Sequence, residues 1–398
     1  MPAAFIFAGA LAVFSGIWAT GTETDIQLHT EKLREINAGT AQWTPNFLLY
    51  LLVGALSGFS TDFDVLMRVM ITVLAGAVAG KFIVTRTIIR QAVAKWAPGR
   101  AVWLPGGATG VAALLTIAYL LPGGGYVRAT NMYLYRVVPN VWHNSTIIAV
   151  FPFALLLFWE QYKVLEPATT GPPPKLHLKR LTLLVLLNIV IKPSFFFVYA
   201  VATPLLALYH ERRLNRVFWR RLLPVVAGGV AMGVQAGLIY LVNYGSYDKE
   251  PSGLRFQPLG FVHWILQSTA IDLVLTYAVP LAALLLLGRR LARRRLVYAG
   301  LLAFLGLLIA TSLFETGPRA HHGNFAWQNV LTTYITWLMA VVLVATVPAP
   351  VLTNSPISPN ELRPVRDWRL TAFWAVVWLQ GVAGLSYIIR LLIEHRYK

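Results

Sequence analysis

The stretch LTLLVLLNIVIKPSFFFVYAVATPLLALY, residues Leu181–Tyr209, decides the class of this chain. Basic residues stand at both of its ends, because Lys179–Arg180 precede it and Arg212–Arg213 follow it. Lys and Arg collect in loops on the cytoplasmic side of a membrane, so both ends are expected on that side. The stretch must then hold two short crossings that meet at Lys192–Pro193, where the proline breaks the helix.

The composition of the whole chain indicates a membrane protein. Its 398 residues are 57% hydrophobic and 13% charged, with a mean hydropathy of +0.61, whereas a soluble domain carries about 25% charged residues. No long polar block interrupts it, so residues 1–398 are expected to form a single domain. The net charge of +18 lies in short loops between apolar runs, which predicts contact with membrane lipids and no nucleic-acid partner. The absence of cysteine excludes disulfides and thiolate metal sites.

A crossing needs about 20 apolar residues, and the sequence predicts an all-α, polytopic transmembrane helical bundle of about eleven spans. These are residues 3–20, 63–85, 101–121, 145–160, 178–192, 194–209, 222–243, 264–287, 296–314, 329–347 and 371–393. With the N-terminus inside, most of the 34 basic residues fall in inner loops. The apolar segment Pro45–Gly58 is too short to cross, so we expect an interfacial helix within a long first outer loop.

The stretch GTETDIQLHTEKL, residues Gly21–Leu33, follows the first crossing and carries the acidic candidates. Thr24 and Gln27 have the spacing of a capping box, which predicts a helix over Asp25–Asn37. Asp25 then lies at the positive end of the helix dipole, which favours its ionised form. Such a carboxylate suits holding a cation or orienting a hydroxyl, and it acts as a strong base only if burial raises its pKa. The alternative is an ordinary capped surface helix with solvated charges.

Two further candidates lie at the ends of crossings. Lys192 is a lone cation beside a broken helix, where it suits a phosphate, although a lysine at the outer interface also snorkels. His143 and Asn144 precede the crossing of residues 145–160 and suit hydrogen bonds to a sugar or phosphate. Asn144 is also a good helix N-cap.

The remaining polar candidates come from the outer loops. They are His29, Arg255, Arg319, His322 and Asn324. In the predicted topology all the candidates lie on or near the outer face, whereas a transporter spreads such groups through the membrane midplane. A site on one face indicates chemistry on a lipid-anchored substrate at that face.

Several of these stretches resemble the GT-C superfamily of polytopic glycosyltransferases, which includes protein O-mannosyltransferases and the bacterial aminoarabinose transferases. An acidic motif is followed by HTEKLREINAGTAQWTPNFLLYLLVGAL, in which Pro45–Leu51 is similar to the family's interfacial helix. KPSF, at Lys192–Phe195, is similar to a break in a middle helix of that family, and PNVWHNSTIIAVFPFALLLF and HGNFAW are similar to segments of polysaccharide-assembly proteins.

The resemblance implies a GT-C-like membrane glycosyltransferase that uses a polyprenyl-phosphate-sugar donor. It would transfer the sugar to a glycan, lipid or protein acceptor on the non-cytoplasmic face of a bacterial or archaeal plasma membrane, as part of cell-envelope glycan assembly. The alternatives are a polysaccharide polymerase or ligase acting on lipid-linked oligosaccharides, and a glycolipid transporter without chemistry.

The resemblance also implies roles for the candidates. Asp25 would position the acceptor hydroxyl, either as a base or through a divalent cation such as Mg²⁺ or Mn²⁺, with Glu23 as its auxiliary and metal ligand. The chain has Glu-Thr-Asp where the family has an Asp-Asp or Asp-Glu pair, which leaves metal dependence open; no organic cofactor is expected. Lys192, helped by Arg319 or Arg255, would stabilise the departing lipid phosphate. His143 would contact sugar or phosphate.

Overall fold

The computed structural model of the protein describes residues 1–21, 24–98, 104–120, 138, 142–166, 174–241, 253–258, 270–288, 291, 295–317, 324–347 and 368–394. These residues contain fourteen helices and two strands. The helices are α1 Pro2–Ala19, α2 Asp25–Asn37, α3 Leu48–Leu56, α4 Phe63–Trp96, α5 Gly107–Ala118, α6 Ser145–Leu165, α7 Lys175–Ile191, α8 Ser194–Glu211, α9 Arg216–Tyr240, α10 Ala270–Thr276, α11 Ala278–Leu287, α12 Val297–Ser312, α13 Gln328–Ala345 and α14 Trp368–Glu394. The strands are β1 Gly253–Phe256 and β2 Leu313–Thr316.

Within the described ranges, six helices are long and apolar enough to cross a membrane. They are α1, α4, α6, α9, α13 and α14. Helices α5, α11 and α12 are apolar but shorter. The chain is therefore mostly helical and suited to a membrane, as the sequence predicts, while the number of eleven crossings stays a prediction.

Helix α13 lies at the centre of the bundle. Every one of its residues is buried, and it contacts α4, α6, α8, α11 and α12. A helix that is hydrophobic all round belongs in the interior, and α13 carries apolar residues on all of its faces. Because α13 is central, the residues just before it lie next to the N-terminal end of α6.

The predicted break at Lys192–Pro193 is confirmed. Helix α7 ends at Ile191, Lys192 has an extended backbone with φ −162° and ψ 115°, and α8 begins at Ser194. The nine residues of α3 span about 13 Å at 1.5 Å per residue. This is less than half of the roughly 30 Å hydrocarbon core, so α3 is too short to cross.

One antiparallel ribbon accompanies the helices in the described part of the chain. Strand β1 pairs with β2 so that Leu254 lies opposite Glu315 and Arg255 opposite Phe314. The all-α prediction did not include this ribbon, because four-residue strands are too short for an alternating pattern to be read from sequence. Since β2 follows α12 directly, the ribbon fixes the position of Glu315.

The helix bundle has two ends. One end holds α2, the starts of α4, α6 and α13, and the last residues of α7; we call it the α2 end. At the opposite end Lys95 of α4 forms an ion pair with Glu166, the residue that follows α6. The candidate residues that the structure describes gather at the α2 end.

Candidate functional site

Asp25 is the first residue of α2, and its position follows from a local capping pattern. The Thr24 hydroxyl accepts a hydrogen bond from the Ile26 amide at 3.2 Å, and the Thr24 amide donates to Gln27 Oε1 at 2.7 Å. The predicted capping box and the predicted bounds of the helix are both confirmed. This arrangement holds the Asp25 carboxylate at the start of a fixed helix.

Both oxygens of Asp25 are engaged by the segment that precedes α6. His143 Nε2 lies 2.7 Å from Asp25 Oδ1, and Asn144 Nδ2 donates to Asp25 Oδ2 at 3.1 Å. Asn144 also caps α6, because its Oδ1 accepts from the Ile147 amide at 3.0 Å. The N-cap interpretation of Asn144 is therefore confirmed, and its nitrogen bonds to the Asp25 carboxylate; its contact with a sugar or phosphate stays a prediction.

Lys192 lies close to this carboxylate. Its side chain is only 8% exposed, and its charge acts on both Asp25 and Glu315. Lys192 Nζ donates to Asn324 Oδ1 at 3.3 Å, and Asn324 Nδ2 donates to Glu315 Oε2 at 2.6 Å. The snorkelling interpretation does not describe this side chain, because the ammonium is buried among polar partners instead of reaching water.

Burial sets the protonation of the groups around Asp25. Desolvation raises the pKa of Asp25 to about 6, although the Lys192 charge and the Asn144 hydrogen bond oppose the rise. Desolvation also lowers the pKa of both His29 and His143 to about 3. Near pH 7 the two imidazoles are therefore neutral, whereas Asp25 is largely ionised and able to take up a proton. The sequence predicts that Asp25 acts as a strong base only if burial raises its pKa, and burial does raise it.

The two histidines are held by aromatic residues. His29 lies half-buried on α2, and its Nδ1 forms a hydrogen bond with the Tyr50 hydroxyl of α3. The His143 ring is parallel to the Trp327 ring, with 6.4 Å between centroids. Tyr50 and Trp327 thus restrict the two imidazoles next to Asp25.

Among the described candidates, Arg255 is not brought into this cluster. Arg255 lies on β1 with an exposed side chain. Glu23, Arg319 and His322 lie outside the described residues. Their proposed roles stay predictions.

Sequence reasoning missed three residues of the cluster, namely Tyr50, Glu315 and Trp327. Glu315 faces Lys192 only because β2 pairs with β1, and the sequence carries no signal for that pairing. Tyr50 had a weak signal, since it lies within the Pro45–Leu51 segment on which the family resemblance partly rests.

Among the described residues, the groups around Asp25 do not form a site for a divalent metal ion. The part of the chain that the structure describes contains no group of three or more His, Asp or Glu side chains placed to hold one. Asp25 contacts an imidazole and an amide, and the nearby Lys192 ammonium repels a second cation. Glu23, the second predicted ligand, lies outside the described residues, so no chemical step is assigned to a metal here.

An apolar cavity of about 750 Å³ lies next to the last residues of α7. One wall is formed by α3 and the residues before it, including Trp43, Pro45 and Leu51. The opposite wall includes Val190 of α7, two residues before Lys192, and Val234 of α9. The cavity is therefore lined by apolar residues of α3, α7 and α9 close in sequence to Lys192.

The orienting role of Asn144 can be tested without disturbing α6. We expect Asn144→Ser to keep the N-cap, since serine caps helices well, but to lose the bond to Asp25 because the side chain is shorter. That hydrogen bond lowers the pKa of Asp25, so its loss should raise this pKa further. Infrared titration of the protonated carboxyl stretch, with Asp25→Asn as the blank, measures the change. The matched control is Asn215→Ser, which makes the same exchange at the N-cap of α9 and should leave the titration unchanged. An unchanged titration in Asn144→Ser would contradict the assignment.

Comparison of the chain with protein-family models, with curated proteins and with solved structures finds no match.

Proposed function

We propose that this protein is a membrane-embedded glycosyltransferase that moves a sugar from a polyprenyl-phosphate carrier to an acceptor hydroxyl. The observation that carries the proposal is the pairing of an oriented carboxylate, Asp25, with a buried cation, Lys192, at one end of a helical bundle. The sequence resemblance to GT-C glycosyltransferases points the same way.

Asp25 acts as the general base in this proposal. A base works best when its pKa lies near the working pH, and the pKa of Asp25 is about 6. His143 and Asn144 hold both carboxylate oxygens in place. The acceptor oxygen forms a bond to the anomeric carbon of the sugar, and its proton moves to Asp25.

Lys192 stabilises the leaving group. As the bond between the anomeric carbon and the phosphate oxygen breaks, its electron pair passes to the polyprenyl phosphate. Before the reaction the Lys192 charge acts on Asp25 and Glu315. Once Asp25 has taken up the proton it is neutral, so more of the Lys192 charge is available to the phosphate at the stage when its negative charge develops.

The apolar cavity supports a lipid-linked donor. Its volume of about 750 Å³ lies within the range of about 300–1,000 Å³ typical of ligand sites. In this proposal a polyprenyl chain lies between α3 and α9 with its phosphate toward Lys192, which follows two residues after Val190 of the cavity wall.

The finer features of the sequence prediction belong to the same proposal. They are a GT-C-like bundle of eleven crossings, a site on the non-cytoplasmic face, and a place in the plasma membrane of a bacterium or archaeon. The acceptor is a glycan, lipid or protein of the cell envelope. Direct base catalysis by Asp25 is preferred to action through Mg²⁺ or Mn²⁺, because Lys192 already supplies the neighbouring positive charge.

A transfer assay tests the proposal. Purified protein in liposomes receives polyprenyl-phosphate-linked radiolabelled monosaccharides and an extract of envelope acceptors, and labelled acceptor is counted between about pH 5 and pH 8. We expect transfer that rises with pH through about 6, because the base must be ionised to accept a proton.

Other results would identify the alternatives. Transfer only from lipid-linked oligosaccharides would indicate a polymerase or ligase, and movement of label across the bilayer without transfer would indicate a transporter. A rate that does not change across this pH range would remove Asp25 as the base.

A further inference from the structure

Lys81 is a buried cation that the proposed reaction does not use. It lies on α4, 6% exposed, and is surrounded by aromatic rings from three other helices or their ends. Its Nζ is 4.0 Å from the ring centre of Tyr334, 4.3 Å from that of Phe151 and 4.9 Å from that of Tyr119. The face of an aromatic ring attracts an ammonium and not a neutral amine, so the three rings offset part of the cost of burying the charge.

No described residue balances the charge of Lys81 with an opposite charge. Within the described ranges Lys81 has ring contacts but neither an ion pair nor a hydrogen bond. Ring faces attract the charge without accepting N–H hydrogen bonds as strongly as an anion or carbonyl does. A buried charge is expensive unless it is paired, so an occupant with negative charge would be favoured beside Nζ.

A small cavity of about 20 Å³ lies next to Lys81. Its walls include Lys81, Thr116, Tyr119, Phe151 and Trp142. One water molecule requires about 10–15 Å³ measured in this way, so the space admits a monatomic ion and excludes a sugar or a phosphate group. The hydroxyls of Thr116 and Tyr119 donate to the carbonyls of residues 112 and 330, which leaves the ammonium as the charged donor facing the space.

We propose that the cavity beside Lys81 binds a monovalent monatomic anion of the chloride class. A water molecule fits the same volume, but it leaves the buried charge uncompensated, whereas a halide supplies both the hydrogen-bond acceptor and the opposite charge. The site is separate from the Asp25 cluster, although Trp142 in its wall is adjacent to His143 in the chain. The proposal stands independently of the sugar-transfer reaction.

Thermal unfolding in halide and non-halide salts tests the proposal. The purified protein is compared in sodium chloride, sodium bromide and sodium gluconate at equal ionic strength, with unfolding followed by tryptophan fluorescence. Binding only to the folded state should raise Tm by about 3 °C at roughly 100 times Kd, in a saturable manner. Lys81→Met should lose this rise, whereas Lys95→Met, which removes a half-exposed lysine at the opposite end, should keep it.

An equal halide response in the wild type and in Lys81→Met would overturn the proposal and leave the cavity to water. If Lys81→Met does not fold, the wild-type protein crystallised with bromide provides the second test. Anomalous density for bromide in contact with Lys81 Nζ supports the site, and its absence at saturating bromide rejects it. Neither result depends on the transfer assay.

Discussion

Asp25→Asn is expected to reduce sugar transfer by about 100- to 10,000-fold, which is the usual contribution of a general acid or base. The substitution keeps the size and shape of the side chain. His143 can keep its contact by changing tautomer, so that Nε2 accepts from the new amide instead of donating. The loss should therefore appear in kcat without a matching change in KM for the donor.

The stability of the same variant separates a catalytic role from a structural one. Because the pKa of Asp25 is raised from 3.8 to about 6 in the folded protein, the folded state binds a proton more tightly than the unfolded state. The stability linked to this group is fully present below about pH 4 and is lost as the pH rises through about 6. The change corresponds to about 3 kcal/mol. Asp25→Asn should therefore be at least as stable as the wild type at pH 7.5 while it is inactive.

Two measurements check this pair of effects. Radiolabel transfer gives the activity, and thermal unfolding at about pH 5 and pH 7.5 gives the stability. Asp64→Asn is the matched control, since Asp64 is an exposed acid in the first turn of α4 and should keep full activity. Full transfer by Asp25→Asn would exclude Asp25 from the mechanism, and a large loss of stability at pH 7.5 would indicate a structural role.

Lys192→Met is expected to reduce transfer by about 100- to 1,000-fold, as for the loss of one donor that stabilises a developing oxyanion. It should also shift the acid limb of the rate profile above about pH 6. The reason is that the Lys192 charge lowers the pKa of Asp25, whereas burial raises it. Without the Lys192 charge the pKa of Asp25 should therefore be higher. A residue with only a structural role would not move this limb.

The comparison variants for Lys192 are chosen by charge and exposure. Lys192→Arg keeps the positive charge and should keep more activity than Lys192→Met. If Lys192→Met folds poorly, Lys192→Arg still tests whether the position needs a positive charge. Lys175→Met removes an exposed lysine from the start of α7 and should behave as the wild type. A rate profile in Lys192→Met that matches the wild type in height and position would exclude Lys192 from the site.

Sequence reasoning placed the candidate residues on one end of the molecule but did not identify their partners. The apolar runs and basic loops led to Asp25, His143 and Lys192 as candidates on a common face, and the described cluster contains all three. The prediction treated His143 as a ligand for sugar or phosphate, whereas the structure places it 2.7 Å from Asp25. Its neighbour Asn144 donates a hydrogen bond to the same carboxylate. Both residues therefore contact Asp25 in the structure.

The sequence by itself determined the features that depend on neighbours within one or two helical turns. The helical membrane class follows from the hydropathy of continuous runs, the start of α2 from Thr24 and Gln27, and the break between α7 and α8 from Lys192–Pro193. Each is a short-range effect, because capping bonds and proline sterics involve atoms only a few residues apart.

Only the tertiary structure decided the electrostatics of the site. Asn144 is 119 residues from Asp25, and Asn324 is 132 residues from Lys192, so neither contact has a local signal. The helix dipole alone favours an ionised Asp25, yet desolvation raises its pKa to about 6. Desolvation depends on which segments cover the carboxylate, and that is set by how α2, α6 and the end of α7 pack together.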